Sequence, residues 1–214
     1  MAVQRKGSNP WLSIWTKPRM TIAAIVAKNP KAHFILLSGL YGFPTLLQMA
    51  QTLSLGQSMS LMNIVIGALI LSFFVGMLGI TIASGLIYWT GKWIGGKSSY
   101  YPIRAAVSWA NVPHIVSILM WVILILTFKN ETFIDGLGQK TLQGNQQLII
   151  FITSLVLLVV SVWSLVILVK GVAQVQGFSA WKGLLNVLIP FFMVAALVWV
   201  LSWIMVMISG MPTH

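Results

Sequence analysis

Glu131 and Asp135 are the only acidic side chains among 214 residues, and they stand four apart. On a helix that spacing puts two carboxyls on one face, as an acid/base pair or a cation site would require. They share the stretch "KNETFIDGLGQK" (129–140) with Lys129 and Lys140. The composition therefore favours a solvated loop of mixed charge. The "NET" at 130–132 matches a glycosylation sequon, a three-residue pattern too common to carry weight. His33, His114 and His214 lie far apart, and no span supplies an acid to accompany them. No HExxH, GxSxG or phosphate-loop pattern occurs. Cysteine is absent, which excludes disulfides, thiolate metal sites and a cysteine nucleophile. Catalysis here would have to be built almost without acids. The chain reads as a non-enzyme with no cofactor and no metal site, a membrane-embedded enzyme being the weakest alternative.

Chemistry of another kind is concentrated at three prolines. Pro44, Pro113 and Pro190 each interrupt an apolar run, removing one helical hydrogen bond and freeing the carbonyls of Leu40, Trp109 and Asn186. Asn111 and His114 flank Pro113. Two readings stay open. The kinks with Asn111, His114 and Asn186 form a cavity, since polar groups within a membrane face the bundle interior or water. Alternatively, the polar groups re-satisfy the broken backbone. Elsewhere, small residues recur at Ala68, Ser72 and Gly76, then at Gly79 and Ala83. Such spacing lets helices approach closely in lipid, and packing within the chain is favoured over self-association.

The elements that must position these residues follow from composition. The chain is 58% hydrophobic and 7% charged, with mean hydropathy +0.92. A soluble domain carries roughly 25% charged residues. Five segments approach the roughly 20 apolar residues of a membrane crossing: 33–53, 61–89, 105–128, 148–169 and 184–208. The second exceeds a perpendicular crossing, which predicts tilt. Long continuous runs without alternation exclude a barrel. The expected fold is all-α, an integral membrane bundle of five transmembrane helices (33–208). An interfacial segment of short amphipathic helices (1–32) precedes it, and a short external tail (209–214) follows.

Charge predicts the orientation. With five crossings, eleven of the 13 lysines and arginines fall on the side of the N-terminus; only Lys129 and Lys140 fall opposite. The positive-inside rule makes the rich side cytoplasmic, with the C-terminus external and the cell membrane as location. The pI near 10.4 does not imply nucleic acid, because the basic residues are scattered along one membrane face. They suit anionic lipid of the inner leaflet. No cleavable signal pattern opens the chain.

The stretch "SNPWLSIWTKPRMTI" (8–22) places tryptophans beside positive charge ahead of the first span. Asn9-Pro10 predicts a helix start. Lys17 before Pro18 predicts its end and a second short helix running to Lys28. Asn29-Pro30 repeats the device. Trp11, Leu12, Ile14 and Trp15 share one side, so Trp11, Trp15, Lys17 and Arg19 are expected to anchor at headgroup depth. The same face packed against the protein's own cytoplasmic loops is the alternative.

The phrases "NPWLSIWTKPRMTI" and "AAIVAKNP", then "AAVSWANVPHIV" and "VKGVAQVQGFSAWKGLLNVLIP", resemble the bacterial branch of the Yip-domain family. The wider family is named for membrane proteins that interact with Rab-type GTPases. The resemblance covers nearly the whole chain and implies five spans and a role in trafficking, membrane organisation or assembly of other membrane complexes. Implied partners are the bilayer, other integral membrane proteins such as a transport complex, and possible further copies of this chain. The Asp-Leu-Tyr-Gly-Pro motif of eukaryotic members is missing; "LYGFP" at 40–44 lies inside the first span, so GTPase binding is not implied. A small-solute or ion pathway through the kinked helices is the alternative function.

Overall fold

The computed structural model describes residues 9–134 and 144–209, with side chains to Met207. Arg5, Lys6, Asp135, Gly138, Lys140 and His214 therefore lie outside the described residues, as does the tail from residue 210. Two short helices open the fold, α1 (Pro10–Thr16) and α2 (Pro18–Lys28). Their punctuation is the expected one. The Trp11 N–H donates to Asn9 Oδ1 at 3.0 Å. Pro18 occupies the first position of α2, and the Lys31 N–H donates to Asn29 Oδ1 at 2.9 Å. Six more α-helices follow among the described residues: α3 (Phe34–Thr52), α4 (Leu61–Trp93), α5 (Tyr100–Trp109), α6 (His114–Phe128), α7 (Gly144–Gln176) and α8 (Ala180–Ser209). Among the described residues there is no strand.

Four stretches are long and apolar enough to cross a membrane: Leu61–Trp93, Tyr100–Phe133, Gly144–Gln176 and Ala180–Met207. The protein is a multi-pass membrane protein. The segment expected as the first span is the helix α3, but its glycines, Tyr41, Thr45, Gln48 and Gln51 make it less apolar than the other four. The third expected span differs most from expectation. It begins at Tyr100 rather than Ala105 and breaks at 110–113. Pro113 has no N–H to donate, and the Asn111 side chain takes the Val107 carbonyl at 2.9 Å. The 15 residues of α6 reach only about 22 Å at 1.5 Å per residue, short of the ~30 Å hydrocarbon core. The bent α5–α6 pair makes one crossing together.

Helices α3 and α4 pack most closely. A Cβ on Gly42 would overlap the Ser72 carbonyl oxygen, and one on Gly76 would overlap that of Ser38. Backbone thus meets backbone, as small residues permit in lipid where no hydrophobic force joins helices. Two apolar clusters fill the bundle. One, toward the basic end, holds Ile14, Ile22, Leu37, Ile87, Trp109 and Ile167. The other holds Leu47, Ala68, Trp121, Leu124 and Phe133.

At that second end the turns interlock. The Gln51 Nε2 donates to the Thr132 carbonyl at 2.9 Å, the Asn130 Nδ2 donates to the Gly56 carbonyl, and Phe133 stacks 6.0 Å from Trp121. Glu131 lies in a 3-10 turn, Lys129–Phe133, and Ile134 beyond it is extended. The pairing of Glu131 with Asp135 falls outside the described residues.

Candidate functional site

Two groups of polar residues within the bundle stand beside its prolines. The first is a buried latch at the basic end, where α4 and α7 finish and α8 begins. Asn186, fully buried, donates from Nδ2 to the Ile87 carbonyl at 2.8 Å and to Thr90 Oγ1 at 3.0 Å. Gln176 Nε2 donates to Asn186 Oδ1 at 3.2 Å, and the Ser98 N–H donates to Gln176 Oε1 at 3.1 Å. Gly91 and Gly96 make room, since a Cβ on either would collide with the Gln176 amide. Thr90 Oγ1 donates most closely to Leu86 O at 2.9 Å, and lies 3.4 Å from the Asn186 carbonyl, the one that Pro190 frees. Every polar arm of the latch has a partner. Such a network holds three helices in register, because any unpaired member would be costly away from water.

The second group surrounds the α5–α6 break. The Asn111 amide satisfies the Val107 carbonyl; the Trp109 carbonyl, freed by Pro113, accepts the Val112 N–H at 3.3 Å. His114 Nδ1 lies 3.3 Å from Ser117 Oγ. Beside this break is a cavity of about 260 Å³ between α3, α4, α5 and α7, lined by Tyr41, Gly79, Ala83, Asn111 and Ser164 among others. The Ser164 hydroxyl is buried without a hydrogen-bond partner. Asn111 borders the cavity; His114 and Pro113 do not line it.

The remaining expected positions are dispersed. Pro44 is buried inside α3, remote in the fold from Pro190. Ala68, Ser72 and Gly76 are buried on α4, while Gly79 faces the Tyr41 ring. Trp11 packs 5.0 Å from the Trp109 ring and 6.0 Å from His33. With Trp15 it borders the cluster around buried Ile14, so this face of α1 meets the protein. Leu12, Thr16 and Lys17 are exposed, and Arg19 is half-buried. His33 and His114 stay apart, and no metal-binding group of three ligands exists among the described residues. Sequence reasoning missed Thr90, Ser98, Gln176 and Ser164. The available signal was polarity within apolar runs: "VWSLV" for Ser164 and "VAQVQG" for Gln176.

A family model described as Yip1 domain matches residues 12–203. No curated protein and no solved structure matches the chain.

Proposed function

For a chain that belongs to the Yip1 domain family, we propose a non-enzymatic role in organising or assembling other integral membrane components, a transport complex being one such assembly. One observation carries this reading. Beyond Pro190, every residue from Phe191 to Met207 is exposed around the whole circumference of α8. An apolar stretch this exposed offers a broad helix surface to a neighbour. The bundle is read as five crossings, α3 included, with the basic end cytoplasmic and the C-terminus external. In this arrangement α1 and α2 lie at the inner leaflet, with Trp11 and Trp15 packed on the bundle and Lys17 and Arg19 toward the headgroups.

Two experiments test it. The protein purified in mild detergent from its own membranes should bring integral membrane partners with it, and charged residues at Trp199 and Trp203 should release them. Purification of the chain alone under gentle extraction would oppose the reading. Topology is tested by single cysteines, in a background free of any. At positions 57, 138 and 214 they should react with an impermeant thiol reagent on intact cells; at 97 and 182 they should not.

The cavity beside Asn111 favours one other reading, a path for a small solute. Asn111→Leu, at the edge of the cavity, would then abolish flux through reconstituted protein at unchanged stability, whereas His114→Leu, off the cavity, would leave flux intact. In the assembly reading, both lower the melting temperature, and Pro113→Ala partly restores it by returning the missing bond.

A further inference from the structure

Arg104 and Lys31 converge on one ring. The Arg104 guanidinium carbon lies 5.0 Å from the Tyr101 centroid and Lys31 Nζ lies 4.3 Å from it. Arg104 also sits 4.1 Å from the Phe34 ring, and its Nε is buried without a hydrogen-bond partner. Two cations held around one aromatic repel each other, and cation–π contact neutralises neither. Elsewhere a carboxylate would stand between them. This chain's two acidic side chains are at 131 and 135, and Glu131 lies at the opposite end of the bundle. Among the described residues no carboxylate stands beside this pair, which leaves the two cations open to an anionic ligand.

The surroundings define its chemistry. Arg104 and Lys31 border an open cleft of about 550 Å³ with His33, Phe34, Ile35, Leu36 and Phe73. The cleft mouth is the start of α3. His33 takes a left-handed conformation there (φ 62°) and contributes no side-chain cap. The first helical bond runs from the Leu37 N–H to the His33 carbonyl, so the N–H groups of Phe34, Ile35 and Leu36 precede it. A helix start with uncapped donors attracts anions, phosphate above all. The wall below is apolar and open, with Ile35 62%, Leu36 56% and Phe73 41% exposed.

The geometry points to a built site for an anionic phospholipid. Its phosphate sits between Arg104, Lys31 and the α3 N-terminus, and its acyl chains lie along Ile35, Leu36 and Phe73. An arginine fork suits phosphate oxygens, and the apolar wall selects a lipid over a free phosphate. The inference rests on the basic end lying at a leaflet surface. Cysteine labelling tests that reading on its own, whereas lipid binding in detergent is independent of orientation, so the two failures are distinguishable.

The test uses the full chain in neutral detergent, its melting followed by tryptophan fluorescence. Short-chain phosphatidylglycerol should raise the melting temperature. Phosphatidylcholine of the same chain length, glycerol phosphate and inorganic phosphate should not. Lys31→Gln and Arg104→Gln should each raise the half-saturating lipid concentration about tenfold, the loss of one charge-assisted contact. Lys170→Gln, an exposed charge at the same end, should not change it. Should Arg104→Gln fail to fold, Lys31→Gln carries the test, since Lys31 is exposed. An equal response to inorganic phosphate would assign a free-anion site and overturn the lipid. Equal responses of wild type and Lys31→Gln, or a loss in Lys170→Gln of the same size, would reduce the site to diffuse charge and overturn it too.

Discussion

The two halves of α8 live in the same solvent and differ in everything that holds them. Before Pro190 the helix carries Asn186, which joins α4 directly and α7 through Gln176. From Phe191 to Met207 it carries only apolar side chains and Ser202, whose hydroxyl turns back to its own helix at Val198. The first half is packed and the second is exposed throughout. Lipid tails are as apolar as leucine, so an apolar helix gains little by leaving them for another helix. A polar side chain gains much by finding a partner, because hydrocarbon offers none. The lesson is that cohesion here comes from polar contacts and close backbone approach, not from hydrophobicity. Hydrophobicity decides only that the helix is in the membrane.

Replacing Asn186 tests that contrast with the largest effect. Asn186→Leu strands Gln176 Nε2 and the Ile87 carbonyl, each at about 1–3 kcal/mol, and should lower the melting temperature in detergent more than any other single change in α8. Hydrogen exchange should quicken at Val187–Ile189. An unaltered melt would mean that apolar packing alone seats the helix. Gln176→Leu should cost less, because it breaks two side-chain bonds where Asn186→Leu breaks three, leaving the Ser98 N–H and the Asn186 oxygen without a partner at about 1–3 kcal/mol each. Its loss should add less than fully to that of Asn186→Leu, as members of one network do. In a melting cycle, full additivity would break the latch into separate contacts.

Pro190→Ala probes the boundary between the halves. It gives the Asn186 carbonyl a helical N–H and should stabilise by about 1 kcal/mol, while changing the distance between spin labels at positions 158 and 200. A loss of stability would show that the kink itself aligns Asn186. The smallest effect belongs to the exposed half. Trp199→Ala and Trp203→Ala should each move the stability of the isolated chain by less than about 0.5 kcal/mol, yet reduce the recovery of co-purifying membrane proteins. A substantial drop in melting temperature for either would show that the bundle holds these side chains.

Legibility from sequence varied with the range of the interaction. The cap-and-proline signals at Asn9 and Pro18 read correctly because capping is local, the Trp11 N–H reaching back two residues; Asn29-Pro30 instead ends α2 in a turn, and α3 starts only at Phe34. The apolar runs read correctly as helices for the same reason. The break at 110–113 was half legible. Pro113 marked the position, but that the Asn111 amide meets the Val107 carbonyl while bordering a cavity needed coordinates. The α1 face that suggested a membrane anchor turned out to lie against Trp109, and an amphipathic pattern is the same whether its apolar side meets lipid or protein.

Composition and local pattern by themselves thus determined the solvent, the helical class, most helix starts and the scarcity of acids. Tertiary structure decided who meets whom. The Ser98 N–H finds Gln176 across 78 residues, and Asn186 finds Ile87 across 99. Gly42 and Gly76 matter only because Ser72 and Ser38 arrive opposite them. Arg104 and Lys31 become one site only when α5 brings Tyr101 beside the entrance to α3. Hydropathy is a property of a window of chain, whereas a hydrogen bond or a steric fit belongs to a pair, and the pairs here are made by helices crossing.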